Sequence, residues 1–127
     1  MKTEHITASV TDAELEIMQV LWEESPRTAQ DIIQCLNAHP STVKTLINRL
    51  LKKGALAFEE KNRKYHYYPT VEKEAFYQEK TQSFLNRFFD GGVTPLVSFF
   101  TNNKKLSDKE IEELKQLIEK MEADNEN

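Results

Sequence analysis

The segment from Pro40 to Pro69, PSTVKTLINRLLKKGALAFEEKNRKYHYYP, constrains the fold of this chain more than any other. Val43, Leu46, Ile47, Leu50 and Leu51 recur at intervals of three and four, which makes one face of a helix from Pro40 to Lys53 apolar. The opposite face carries Ser41, Thr42, Lys44, Thr45, Asn48 and Lys52. Pro40 suits a first helical position, and Gly54 stops the helix where a left-handed residue is usually needed. Leu56 and Phe58 then begin an alternating pattern, and Tyr65, His66, Tyr67 and Tyr68 favour a second strand. Two strands are expected, at about 55–59 and 64–68, joined by a polar turn at 60–63. An isolated hairpin is barely stable in water, so some of its rings are expected to pack on the helices.

Two further helices precede this segment. Thr11 opens one with a T-x-x-E box to Glu14, with Leu15, Met18, Leu21 and Trp22 facing inward. Pro26 breaks it, Thr28 is placed to cap the next, and Ile32, Ile33 and Leu36 face inward. Asn37 to His39 form the turn before Pro40. Three short helices followed by a basic hairpin predict a winged helix-turn-helix over residues 1–70. After Pro69, Phe76, Tyr77, Phe84, Leu85, Phe88 and Phe89 follow a helical period, and Gly91 and Gly92 end that helix. VTPLVSFF predicts a small helix from about Pro95. Leu106 and Ser107 open a last helix by a hydrophobic staple and an S-x-x-E box to Glu110, with Ile111, Leu114, Ile118 and Met121 along it. The expected fold class is therefore mainly α with a small β-hairpin wing, completed by a helical dimerisation arm over residues 71–127.

That arm has many large apolar residues and too few elements to enclose them. A homodimer would enclose them, with Phe76, Phe84, Leu85, Phe88, Phe89, Leu96, Phe99, Phe100, Ile111, Leu114 and Ile118 in its interface. Folding back on the first domain is the alternative.

Composition narrows the function. A chain of 127 residues, 30% charged and 39% hydrophobic, has room for one domain and an appended arm. No apolar run approaches the roughly 18 residues that a membrane helix needs, and the N-terminus lacks a signal-like stretch, so a cytoplasmic protein without a membrane partner is expected. Cys35, the single cysteine, excludes an internal disulfide and reads as a small buried helix residue rather than a reactive or metal-binding thiol. His5, His39 and His66 lack ligand spacing, so neither a metal nor another cofactor is expected. No H-E-x-x-H, G-x-S-x-G or Gly-rich phosphate loop occurs, which argues against an enzyme.

Net charge is −4, but its distribution is uneven. Residues 1–24 carry one Lys against six acids, residues 25–70 eight basic residues against three acids, and residues 71–127 eight against twelve. Phosphate binding responds to local potential, so the basic middle third matters more than the average. In a winged helix-turn-helix the third helix lies in the major groove. Ser41, Thr42, Lys44, Thr45 and Asn48 are then the candidate base readers: Lys44 for guanine, Asn48 for adenine, the threonines for either a hydrogen bond or a thymine methyl. Arg49, Lys52 and Lys53, further along, and Lys61, Arg63 and Lys64 on the wing are candidate phosphate contacts. Thr28 and Gln30 would offer phosphate a helix N-terminus. Each residue alone also reads as part of a solvated helix face, and a winged helix can instead serve as a protein-interaction module without operator-specific DNA binding. The registered combination of polar stripe, glycine stop and basic hairpin favours double-stranded DNA.

The sequence also resembles the penicillinase and methicillin-resistance repressor family (BlaI/MecI), to which copper-responsive repressors are related. The resemblance rests on AELEIMQVLWE, TVKTLINRLLKKGAL, YHYYP, FLNRFFDGGVTPLVSFF and LSDKEIEELKQLIEK, and so spans nearly the whole chain. It implies a homodimeric repressor on a palindromic operator, of β-lactam resistance or related stress-response genes. It also implies that Thr42, Lys44, Thr45 and Asn48 read the operator while Arg49 and the wing clamp phosphates. Family members of the antibiotic-responsive type are switched off by cleavage of an Asn-Phe bond before the last helix, by a sensor-linked metalloprotease. The corresponding bond here joins Phe99 and Phe100, and the Asn is absent. The cysteine pairs of the copper-responsive relatives are also absent, since no cysteine follows Cys35.

Overall fold

Helix formation follows the capping signals of the sequence. A computed structural model describes residues 2–103 and 106–126. Helix α2 (Asp12–Glu23) starts at Thr11, whose Oγ1 accepts the Glu14 amide at 3.2 Å while Glu14 Oε1 accepts the Thr11 amide at 3.0 Å. Helix α3 (Ala29–Leu36) starts at Thr28 with the same reciprocal box, here to Asp31, and ends at Asn37 in the left-handed region, φ 50°. Helix α4 (Pro40–Lys53) is the segment anticipated from the sequence. Helix α1 (Lys2–Ser9) was not expected. Its sequence, KTEHITAS, has one large aliphatic side chain, Ile6, and so shows no apolar stripe.

Strands β1 (Leu56–Lys61) and β2 (Lys64–Pro69) pair antiparallel, with Phe58 opposite Tyr67 and Lys61 opposite Lys64. The connection is a two-residue turn, Asn62 and Arg63, both at positive φ (54° and 64°). This turn is shorter than the expected 60–63, since Asn-Arg is not the usual pair for such tight turns, which favour glycine second. A further element was not foreseen: Arg27 and Tyr67 exchange backbone hydrogen bonds at 3.0 and 2.7 Å, so the approach to α3 flanks β2.

Two compact units divide at Gln82 and Ser83, within helix α5 (Lys73–Phe88). In the first, Ile17, Met18 and Leu21 of α2, Ile32 of α3 and Val43, Leu46, Ile47 and Leu50 of α4 form the centre of the core. Leu15, Trp22, Ile33, Leu36 and Leu51, expected inside, are only partly buried against it. Burying each aliphatic side chain in this core contributes on the order of 2 kcal/mol. The unit extends beyond the expected limit at residue 70. Val71 and Phe76 belong to its core, the Trp22 indole N–H donates to the Val71 carbonyl at 3.0 Å, and the Trp22 and Phe76 rings lie 5.2 Å apart. Phe76 is therefore enclosed within one chain, which removes it from the residues expected at a dimer interface; it is 1% exposed.

The second unit comprises the end of α5, α6 (Val93–Asn103) and α7 (Asp108–Glu126). A left-handed Asp90 and Gly91 terminate α5, with the Gly91 amide donating to the Leu85 carbonyl at 2.9 Å. Helix α6 begins at Val93, two residues ahead of expectation, and α7 is capped by the anticipated Ser107–Glu110 box. Neither α6 nor α7 has a fully buried residue among those described. Leu85 is buried, but Phe84, Phe88, Phe99, Phe100, Ile111 and Ile118 are exposed, as are Leu117 and Met121. Phe89, Leu96 and Leu114 are half-buried. An apolar cavity of about 290 Å³ lies among Leu96, Val97, Phe100, Leu106, Leu114 and Leu117. Among the described residues, no helix is long and apolar enough to cross a membrane.

Candidate nucleic-acid interface

Once Val43, Leu46, Ile47 and Leu50 are committed to the core and Leu51 is packed against it, the helical period leaves most of the remaining side chains of α4 in solvent. Ser41, Thr42, Lys44, Thr45, Asn48, Arg49 and Lys52 are all exposed. Two of the expected base readers are partly engaged within the helix. Thr45 Oγ1 donates to the Ser41 carbonyl at 2.9 Å, so toward a base its hydroxyl is left to accept, or its methyl to make contact. The Ser41 hydroxyl lies 2.8 Å from His39 Nδ1, which also accepts the Ser41 amide at 3.2 Å. His39 is thus the cap of α4, a role that sequence reasoning missed although the residue sits directly before Pro40, in N-cap position.

The C-terminal end of α4 is fixed by Gly54, φ 81°, whose amide donates toward the Leu50 and Leu51 carbonyls, while the Ala55 amide reaches Leu50 O at 2.9 Å. The base of the wing is anchored through buried Leu56 and Tyr67 and through the Arg27 bridge. Burial pushes the Tyr67 hydroxyl above its ordinary value of 10.0, with a smaller push from Tyr65. The wing tip is open: Lys61, Arg63 and Lys64 are exposed around the turn. The expectation that wing rings pack on the helices holds for Tyr67, which belongs to the core. Phe58 and Tyr65 stack on each other at 4.4 Å and remain 45% and 48% exposed.

Three sequence expectations are corrected here. Lys53, expected to be free for a phosphate, is instead engaged within the chain: its ammonium donates to the Glu14 carboxylate and the Ser9 carbonyl. Glu14 itself is 1% exposed. Burial pushes its carboxyl up, but hydrogen bonds from Lys53 and Thr11 and the Lys53 charge outweigh this and hold it below the ordinary 4.5. Thr28 is likewise occupied, by its box with Asp31, whose carboxylate already sits at the α3 N-terminus where a phosphate was expected. The Thr28 backbone and side-chain hydrogen bonds lower the Asp31 carboxyl below its ordinary 3.8. Gln30 is exposed beside it. Finally, Cys35 is exposed rather than buried, with its sulfur against the Arg27 guanidinium, which also donates to the Glu24 carbonyl and carboxylate.

Helices α2 to α4 closed by an antiparallel hairpin, with a polar helix face and a basic turn left in solvent, define a winged-helix protein. Comparison with known proteins makes this specific. Residues 10–120 match the family model described as Penicillinase repressor, and the chain belongs to that family. It is 38% identical over 114 residues to the penicillinase repressor of Bacillus licheniformis, covering 87% of this chain and 89% of that protein. It is 33% identical over 118 residues to the methicillin resistance regulatory protein MecI of Staphylococcus aureus, covering 90% of this chain and 96% of the other. Among solved structures, a multiple antibiotic-resistance repressor (MarR) from Listeria monocytogenes superposes with a TM-score of 0.56 over 99% of this chain and 83% of its own; at 19% identity the likeness is one of fold.

Proposed function

We propose that this protein is a transcriptional repressor that binds a palindromic double-stranded DNA operator as a homodimer, in the control of β-lactam resistance or related stress-response genes. The observation that carries the reading is the exposed stripe Ser41, Thr42, Lys44, Thr45 and Asn48 on a helix whose other face is sealed in the core, in a chain of the penicillinase repressor family. The stripe enters the major groove and reads base edges, while Arg49, Lys52 and the wing residues Lys61, Arg63 and Lys64 neutralise phosphates. Repression then follows from occupancy of the DNA, without catalysis, in the cytoplasm. The unburied apolar faces of α6 and α7 support a second copy of the chain as their partner. Release by a sensor-linked protease at the Phe99–Phe100 bond is the switch that fits the family, and both rings are exposed on α6.

Selection from a pool of random duplexes tests this reading. The full chain is expected to recover inverted half-sites about one helical turn, roughly 10 bp, apart or a multiple of that. Affinity should fall steeply with salt. Recovery of no common motif, with binding insensitive to salt, would instead favour a module that binds proteins.

A further inference from the structure

Lys52 and Lys53 are adjacent in sequence but roughly 100° apart around α4, and they have different fates. Lys52 is exposed. The Lys53 ammonium turns inward, where it meets one oxygen of Glu14, in the first turn of α2, together with the carbonyl of Ser9 at the end of α1. That same carboxylate oxygen accepts the Thr11 amide. One junction, with Glu14 buried and the Lys53 side chain 25% exposed, thereby ties the end of α1, the start of α2 and the end of α4. The base-reading residues lie toward the other end of α4, whose 14 residues span about 21 Å, so a change in tilt at Lys53 is magnified where bases are read.

Stability alone does not account for such a pair. Glu14 Oε2 is buried and has no hydrogen-bond partner among the described residues, so part of the desolvation is not offset. Replacing a buried ion pair by apolar groups of similar size is often neutral or stabilising. What the pair supplies that apolar groups do not is a direction, because it holds the last residue of α4 at one position against α2 and α1.

We infer that Lys53 and Glu14 are positioning residues for operator recognition: their part-buried pair sets the pose of α4 in the major groove, and Lys53 contacts no phosphate. This rests on the function proposed above. Lys53→Met keeps the aliphatic stem and removes the charge, and Glu14→Gln keeps a side chain able to close the Thr11 box.

The test uses the full chain, the duplex that the wild-type protein selects from a random pool, and a scrambled duplex of equal length. Lys52→Ala serves as the phosphate control and should lower the salt slope by about one. The double variant Glu14→Gln/Lys53→Met leaves no lone buried charge and should unfold at a denaturant concentration close to wild type. Its affinity for the selected duplex should nevertheless drop about tenfold, the loss of roughly one base contact, while affinity for scrambled DNA and the salt slope stay unchanged. A slope reduced by one would make Lys53 a phosphate contact, and wild-type discrimination in the double variant would make the pair purely structural; either result overturns the inference. Because Lys53→Met alone leaves Glu14 buried and unpaired, it is expected to be less stable than the double variant. A wild-type chain that shows no salt-dependent binding to either duplex overturns the proposed function itself, an outcome read before any variant is compared.

Discussion

At the scale of single residues, the proposed function divides α4 and the wing between reading and holding. Lys44 is exposed on the stripe proposed to face bases, whereas Lys64 follows the wing turn. Lys44→Ala is expected to cost about 1–3 kcal/mol on the selected operator and to relax preference at one base pair. Lys64→Ala should weaken all duplexes alike and lower the salt slope by about one. Competition binding with single-base variants of the operator checks both, and equal effects on every duplex would refute the division. Gly54 shows a different dependence, on backbone and not on charge. A methyl there would meet Ile6 Cδ1 at 3.7 Å, an ordinary contact, so space is not the constraint. Its φ of 81° is, and Gly54→Ala should destabilise the chain by about 1–2 kcal/mol, seen as a lower urea midpoint.

Among the elements, the wing turn sets two requirements against each other. Arg63 is held at φ 64°, which costs a side-chain-bearing residue of the order of 1 kcal/mol relative to glycine. Arg63→Gly should therefore raise stability slightly, by about 0.5 kcal/mol once the greater freedom of glycine in the unfolded chain is counted, while lowering the salt slope of DNA binding. Stability and affinity moving in opposite directions is the expected signature; a drop in both would mean that Arg63 supports the hairpin. The same elements explain what was legible in the sequence. The face of α4 was readable because its apolar residues repeat at three and four and a glycine closes it. The fate of Lys53 was not, since its partner Glu14 lies 39 residues away and its sequence position signals only the capping box, which it also forms. Helix α1 escaped notice because it contributes Ile6, Thr7 and the following Val10 to the interior, too few to show a period. The wing strands were found, but their tight turn was masked by an arginine in a position where sequence patterns look for glycine.

For the whole molecule, two properties combine. The carboxyls of Glu14 and Asp31 both lie below their ordinary values in the folded chain. Groups shifted this way add stability that is complete above the unfolded-state pKa and disappears as pH falls through the folded-state value. Urea midpoints are expected to be level from neutrality down to about pH 5 and to decline below it, less steeply in Glu14→Gln. The second property is the apolar surface left on α6 and α7. Sedimentation velocity should give a dimer for the wild-type chain, and Ile118→Asp, altering a residue that is 55% exposed, should shift it toward monomer and weaken operator binding together. A monomeric wild type at micromolar concentration would refute that assignment.

The Phe99–Phe100 bond lies inside an 11-residue helix, and the Phe99 carbonyl also accepts the Asn103 side-chain N–H at 3.1 Å. A protease active site takes up its substrate as extended chain, so the proposed cleavage there would have to wait for α6 to unwind. Its rate would then report the fraction of time that α6 is open rather than the strength with which the protease recognises the sequence. If α6 is also covered by a second copy, that fraction falls as the concentration of the protein rises. A scarce repressor would be inactivated quickly, and an abundant one would persist.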